Sequence, residues 1–146
     1  MQDRRRTTNA VYLVFIAAGV CGASWASRIP QVRDELGMTP AALGLVILAI
    51  GVGSLVSLPS AGLVVHRLGS ARTIVMMAVV VAAGMVDAAV GVSIGPAVVV
   101  VGLFLLGFGA GVWDVAMNVE GAAVEQRLER SIMSRFHAGF SIGTVT

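Results

Sequence analysis

Charge is scarce in this chain. Only 12% of its 146 residues are charged, and lysine is absent, so all ten basic residues are arginine. Soluble domains carry about 25% charged residues, so there is too little charge here to cover a soluble surface. A single cysteine, Cys21, excludes an intramolecular disulfide and reads as a small apolar packing residue. No H-E-x-x-H, G-x-S-x-G or Walker loop occurs, and no cysteine–histidine pair has metal-ligand spacing, so no familiar catalytic or metal centre is encoded. Aromatics are 5% of the chain and do not interleave with a basic face, which removes the usual footprint of nucleic-acid binding.

What the chain has instead is long apolar runs. Apolar residues reach 57%, and they gather in residues 11–26, 41–65, 73–94 and 96–117. A bilayer core of about 30 Å needs about 20 helical residues. Four runs of about that length predict an all-α integral membrane protein, a bundle of four transmembrane helices. Residues 136–146 read as the start of a fifth, and the chain is expected to be a fragment of a longer protein. The arginines give an orientation. Arg4, Arg5 and Arg6 precede the first span, Arg67 and Arg72 lie between the second and third, and Arg127, Arg130 and Arg135 follow the fourth. Only Arg28 and Arg33 occupy the other side. Eight against two places the N-terminus on the cytoplasmic side, and the plasma (inner) membrane is the expected location. A cleavable signal peptide over the first run is the competing reading, since small residues at Ala23, Ser24 and Ala26 follow a basic start.

Between spans, residues 27–40 form an outer connection in which Pro30 ends the first span or begins a short turn. Thr39-Pro40 fits an N-cap followed by proline at the first helical position. The second span sets Ala49, Gly53, Ser57 and Ala61 at i, i+4 spacing, a face another helix can approach closely, and Pro59 should bend it. Residues 66–72 make a tight connection. Residues 119–135 mix Glu120, Glu125, Glu129 and three arginines with Val124, Leu128, Ile132 and Met133, which reads as an amphipathic segment at the cytoplasmic membrane surface.

Charges within spans are costly and usually face the bundle interior. Asp114 and Asp87 are the two here. Gly107, Gly111, Asp114, Asn118 and Gly121 fall on one stripe of the fourth span. A carboxylate one turn from an amide suits binding of solute hydroxyls, and a partly buried carboxylate can take a proton near neutral pH. The same stripe would also serve as a helix-packing seam. Asp87 could face a pathway or pair with Arg28 or Arg33. Trp25 and Arg28, at the outer end of the first span, suit either solute contact or interfacial anchoring. His137 opens the fifth helix, as a loop or interfacial residue or as a further candidate site.

The segment containing Gly62, His66, Arg67, Gly69 and Arg72 resembles the G-x-x-x-D-R-x-G-R-R loop signature of the major facilitator superfamily, at the end of the second span where that family carries it. His66 replaces the aspartate, and Ser70 and Ala71 replace the two basic residues. The resemblance implies a conformational-switch loop. The run Gly109, Gly111, Asp114, Ala116 and Asn118 is similar to the fourth helix of the fucose-permease-like branch, which implies Asp114 as a proton-linked, substrate-site carboxylate with Asn118 beside it. The run from Ile132 to Gly143, with Arg135 and His137, resembles the fifth helix of related members. The first span lacks the acidic residue that sugar–proton symporters of the branch often carry, and Leu103 sits near the place of the drug antiporters' arginine. The implied whole is a twelve-helix secondary transporter working by alternating access, with this chain as part of its N-terminal half. Its expected partners are a small, sugar-like polar solute, protons, the lipid bilayer and the missing C-terminal half, and it would need no cofactor, metal or nucleic acid. Competing readings are a complete four-helix interaction or assembly protein, and a drug-exporter member of the same superfamily.

Overall fold

The structure is a computed structural model and describes residues 2–145. Thr146, the end of the fifth apolar run, lies outside the described residues, as does the Arg4 side chain. Six helices follow in order: α1 (Gln2–Ala26), α2 (Ile29–Glu35), α3 (Pro40–Leu68), α4 (Ser70–Ile94), α5 (Pro96–Leu128) and α6 (Met133–Thr144). There is no strand among the described residues, and four of the helices are long and apolar enough to cross a membrane. The chain is thus an all-α membrane-type bundle.

Local chemistry sets the helix limits. Thr39 Oγ1 accepts from the Ala42 N–H at 3.2 Å and Pro40 opens α3, as its sequence dictates. The joints between α3, α4 and α5 are single glycines. Gly69 (φ 79°, ψ 154°) and Gly95 (φ 147°, ψ 165°) occupy backbone regions essentially closed to side-chain-bearing residues. The connections are therefore tighter than the sequence implies: His66 and Arg67 belong to the last turn of α3, and Arg72 to the first of α4.

Three helices form a layer with α5 in the middle, against α3 on one side and α4 on the other. The seams are built from backbone. On α3 the whole small-residue row Ala49, Gly53, Ser57 and Ala61 is buried. A Cβ added at Gly84 of α4 would lie 2.6 Å from both the Gly102 carbonyl and the Leu106 nitrogen of α5. Gly107 closes in the same way on the Ile50 backbone of α3, and Gly53 on Phe104 and Phe108. Such seams gain van der Waals contact where lipid leaves no hydrophobic drive between helices. The outer faces carry exposed Leu45, Leu48, Leu55, Val75, Val79 and Val86, the apolar surface that lipid requires. The remaining pair, α1 and α6, packs mainly on itself. Gly19 and Gly143 sit against the Phe140 and Ile16 backbones, and the fully buried rings of Phe15 and Phe136 stack at 5.5 Å.

Two stretches differ from their sequence reading. The outer connection contains a helix of its own, α2, with Pro30 in its first turn. Residues 119–135 are divided: α5 runs unbroken to Leu128, Glu129 takes a left-handed backbone (φ 50°), and α6 begins at Met133. The apolar run ends near Met117, but Glu, Gln, Arg and Ala are good helix formers, so the helix outlasts the hydrophobicity.

Candidate functional site

The central residue is Asp114, on α5. Its neighbours on that helix are heavily buried: Val112 and Ala116 are 0% exposed and Trp113 is 6%. Asp114 itself is exposed. At 100° per residue it lies within about 20° of Gly107, on the side of α5 that faces α3, and stays exposed beside Gly51, Ser54 and Leu55. Asn118, one turn on, donates through Nδ2 to the Asp114 carbonyl (2.8 Å) and to Oδ1 (3.3 Å). The amide thus fixes one carboxylate oxygen and leaves the other available. About 18 residues of helix separate Asp114 from Pro96, some 27 Å of rise, placing it well inside α5. The stripe read from the sequence is split by function: Gly107 and Gly111 meet α3, at Ile50 and Ser57, and Gly121 meets Met133, while Asp114 and Asn118 stay open.

Asp114 borders two cavities. One, of about 240 Å³, lies between α1, α4, α5 and α6 and is lined by Ala18, Cys21, Gly22, Val81, Trp113 and Phe140 among others. The other, of about 500 Å³, opens beside α3 at Gly51, Ser54, Leu55 and Leu58. The walls are mostly apolar, so Asp114 is their charged group. Cys21, read as a packing residue, is half-buried in the first cavity's wall. The Trp113 indole nitrogen is buried with no hydrogen-bond partner. Neither residue carries a spacing signal that would have marked it; Trp113 is the sequence neighbour of Asp114, and Cys21 meets it only because α1 folds back across α5.

The other candidates are not gathered at Asp114. Trp25 and Arg28 line a third cavity, at the α2 end, facing Met85, Ala88, Ala89 and Val92 of α4. Trp25 is 9% exposed and packs in a cluster with Val32, Val46 and Ala88. Asp87 is half-buried on α4, and the expected pairing is not formed. Arg33 binds Asp34 (2.8 Å), and Arg28 donates to Gln31 (3.3 Å). Short-range partners within α2 took both arginines. His137 is exposed in α6, its Nδ1 donating to the Met133 carbonyl (3.0 Å) and its ring edge-on to Phe15 at 5.2 Å.

At the opposite end, around the α3–α4 joint, Gly62, His66, Arg67, Gly69 and Arg72 are all exposed. Sequence reading missed the contact beneath them. Ser70, the first residue of α4, donates its hydroxyl to the Glu120 carboxylate of α5. That places a negative charge at a helix N-terminus, where the macrodipole favours it. Glu120 also lines a cavity of about 430 Å³ with Arg6 and Thr7 of α1. The pair is 50 residues apart in sequence, beyond any local pattern.

Comparison with known proteins adds kinship. The chain is 34% identical, over 91% of its length, to an uncharacterised MFS-type transporter of Yersinia pestis. It is 34% identical, over 90%, to an uncharacterised transporter of Sinorhizobium fredii, and 28% identical, over 96%, to the membrane protein MosC of Rhizobium meliloti. The chain spans 34% of the length of each of these relatives. No family model matches it, and no solved structure does. The bundle, with four helices long and apolar enough to cross a membrane, supports a multi-pass membrane protein, and the relatives the chain resembles include proteins named as transporters.

Proposed function

We propose that the chain forms part of a proton-coupled secondary transporter, a symporter for a small polar, sugar-like solute, in the plasma membrane with its N-terminus cytoplasmic. One observation carries this reading: a carboxylate, Asp114, stands exposed well inside a membrane-length helix, bordered by two cavities and held by Asn118. A charge turned to lipid within the bilayer is costly, with a penalty that reaches about 2.5 kcal/mol or more at the centre of a span. The face of Asp114 therefore belongs against a water-filled pathway or against protein further along the polypeptide. In alternating access, Asp114 would bind the proton and, with Asn118, the solute's hydroxyls. Protonation removes its charge before the pathway closes over it, which ties closure to proton binding.

The joint residues suit a switch. Gly69 is the only non-helical residue between α3 and α4, and Ser70 is tied to Glu120. Any swing of α3 against α4 must turn at Gly69 and strain that bond. The arginine pattern, eight against two, supports the orientation.

The test is solute accumulation by the full-length protein in proteoliposomes under an imposed pH gradient, screened with labelled sugars and polyols. Asp114→Asn should abolish gradient-driven accumulation and keep solute exchange between equal compartments, because exchange needs no net proton movement. Accumulation by Asp114→Asn with unchanged pH dependence would remove the proton role.

A further inference from the structure

The two ends of the bundle treat their arginines differently. At the α2 end, Arg33 binds Asp34 and Arg28 donates to Gln31, and the carboxylates of Asp34 and Glu35 balance the two arginines. At the opposite end Arg5, Arg6, Arg67, Arg72 and Arg135 are all exposed. None of the five has an ion pair or a side-chain hydrogen bond among the described residues.

Contacts between helices put these five at one height. Glu120 of α5 meets Ser70 of α4, and it shares a cavity with Arg6 of α1 and Ala71 of α4. A Cβ at Gly121 would lie 3.2 Å from Met133 and 3.4 Å from Phe136 of α6. Arg67 and Arg72 flank the Gly69 joint, in the last turn of α3 and the first of α4. Exposed Leu63 and Val75 lie one turn further into the bundle, so the arginines stand where the lipid-facing surface ends. The one described carboxylate at this height, that of Glu120, already accepts from Ser70. Arg127 is placed otherwise. The helix α5 continues past Glu120 to Leu128, and seven residues carry Arg127 about 10 Å beyond the others. Glu125 and Glu129 lie out there with it. A headgroup layer is about 5–8 Å deep on each side of a bilayer, so Arg127 stands past it.

Five unpaired guanidinium groups on four helices, at the edge of an apolar surface, call for anions held at that edge. We propose that Arg5, Arg6, Arg67, Arg72 and Arg135 bind the phosphates of anionic lipids, and that Arg127 takes no part. The guanidinium fork suits a phosphate. The inference rests on the membrane spans and on nothing proposed for Asp114, so a transport result for Asp114→Asn leaves it standing.

The test is lipid retention by the full-length protein, held by an affinity tag in maltoside detergent and equilibrated with radiolabelled phosphatidylglycerol. Unlabelled phosphatidylglycerol should displace the label, and phosphatidylcholine with the same chains should do so about tenfold less well. Raising salt from about 0.1 M to about 1 M shortens the screening length from about 10 Å to about 3 Å and should release the lipid. Arg72→Gln and Arg135→Gln, on different helices, should each weaken retention about fivefold, the contribution of one arginine near an anionic surface, and Arg127→Gln should leave it unchanged. Monodisperse elution shows that each variant is folded, and lipid competition and salt decide on the unaltered protein alone. The proposal fails if phosphatidylcholine competes as well as phosphatidylglycerol or if retention resists salt. It fails too if Arg127→Gln weakens retention as much as Arg72→Gln, since diffuse net charge would then replace a defined level.

Discussion

The α3–α5–α4 layer and the α1–α4 cleft are made from the same kinds of residue and do opposite things. In the layer, glycines on facing helices bring backbones together until no side chain fits between them, at Gly53 and Gly107 on one seam and Gly84 and Gly102 on the other. Across the cleft, α1 turns away to pair with α6, and the space left is lined by Cys21, Trp25, Trp113 and Asp114. Backbone-to-backbone seams leave no slack, so the layer behaves as one body. In the cleft both indole nitrogens are buried without a partner and the Asp114 carboxylate stays exposed among the described residues. Rigidity and site chemistry are thus assigned to different parts of the bundle.

The largest effect should come from spoiling a seam. A side chain at Gly107 would run into the Ile50 backbone, and neither helix can yield without breaking the other seam. Overpacking of a well-filled core costs about 1–3 kcal/mol and more where backbone must shift, so Gly107→Leu should yield no monodisperse protein in detergent size-exclusion chromatography. Gly62→Ala is the matching control. Nothing lies within 4 Å of a Cβ there, and alanine in a helix gains about 0.5–1 kcal/mol over glycine. Its melting temperature should hold or rise. A fall would mean that the loop-signature glycine packs against something in this bundle after all.

Next in size is the turn. Gly69 holds φ 79°, ψ 154°, where a Cβ costs about 1–3 kcal/mol. Gly69→Ala should lower thermal stability by that amount and Gly62→Ala should not, although both belong to one sequence signature. Equal effects would erase the distinction between a glycine needed by its backbone and one that this chain's packing does not require.

How much of this was legible depends on how local the cause is. The four apolar runs, the Thr39-Pro40 start and the Ala49, Gly53, Ser57, Ala61 face depend on spacing along one helix, and the structure uses each of them. The Asp114–Asn118 bond is likewise one helical turn. What escaped was decided between helices or by competition. Asp87 has no arginine because Gln31 and Asp34 lie closer to Arg28 and Arg33 in sequence and took them first. Trp25, which suits either solute contact or interfacial anchoring by its place in the chain, is buried because α2 packs against it, through Ile29, Val32 and Leu36. The extension of α5 to Leu128 follows helix propensity, which apolar patterning does not measure. The Ser70–Glu120 bond depends on where α4 begins relative to α5, which no spacing encodes.

The last comparison sets a polar tie at the helix ends against one inside the layer, where the smallest effect is expected. Ser70 donates to Glu120 where α4 begins, and Ser54 donates to the Gly107 carbonyl at 3.0 Å within the α3–α5 seam. A hydrogen bond to a charged group contributes about 1.5–3 kcal/mol, and interhelical bonds inside membrane proteins average about 0.6 kcal/mol. Ser70→Ala should therefore destabilise the protein more than Ser54→Ala in thermal melts of purified protein, and Glu120→Gln should lie between, because its amide can still accept from Ser70. The seam remains closed in Ser54→Ala, since Gly107 keeps its fit against Ile50 with or without the hydroxyl. If Ser54→Ala proves the worse of the two, the layer depends on its few polar ties more than on backbone contact, and the division drawn between seam and cleft would have to be redrawn around those hydroxyls.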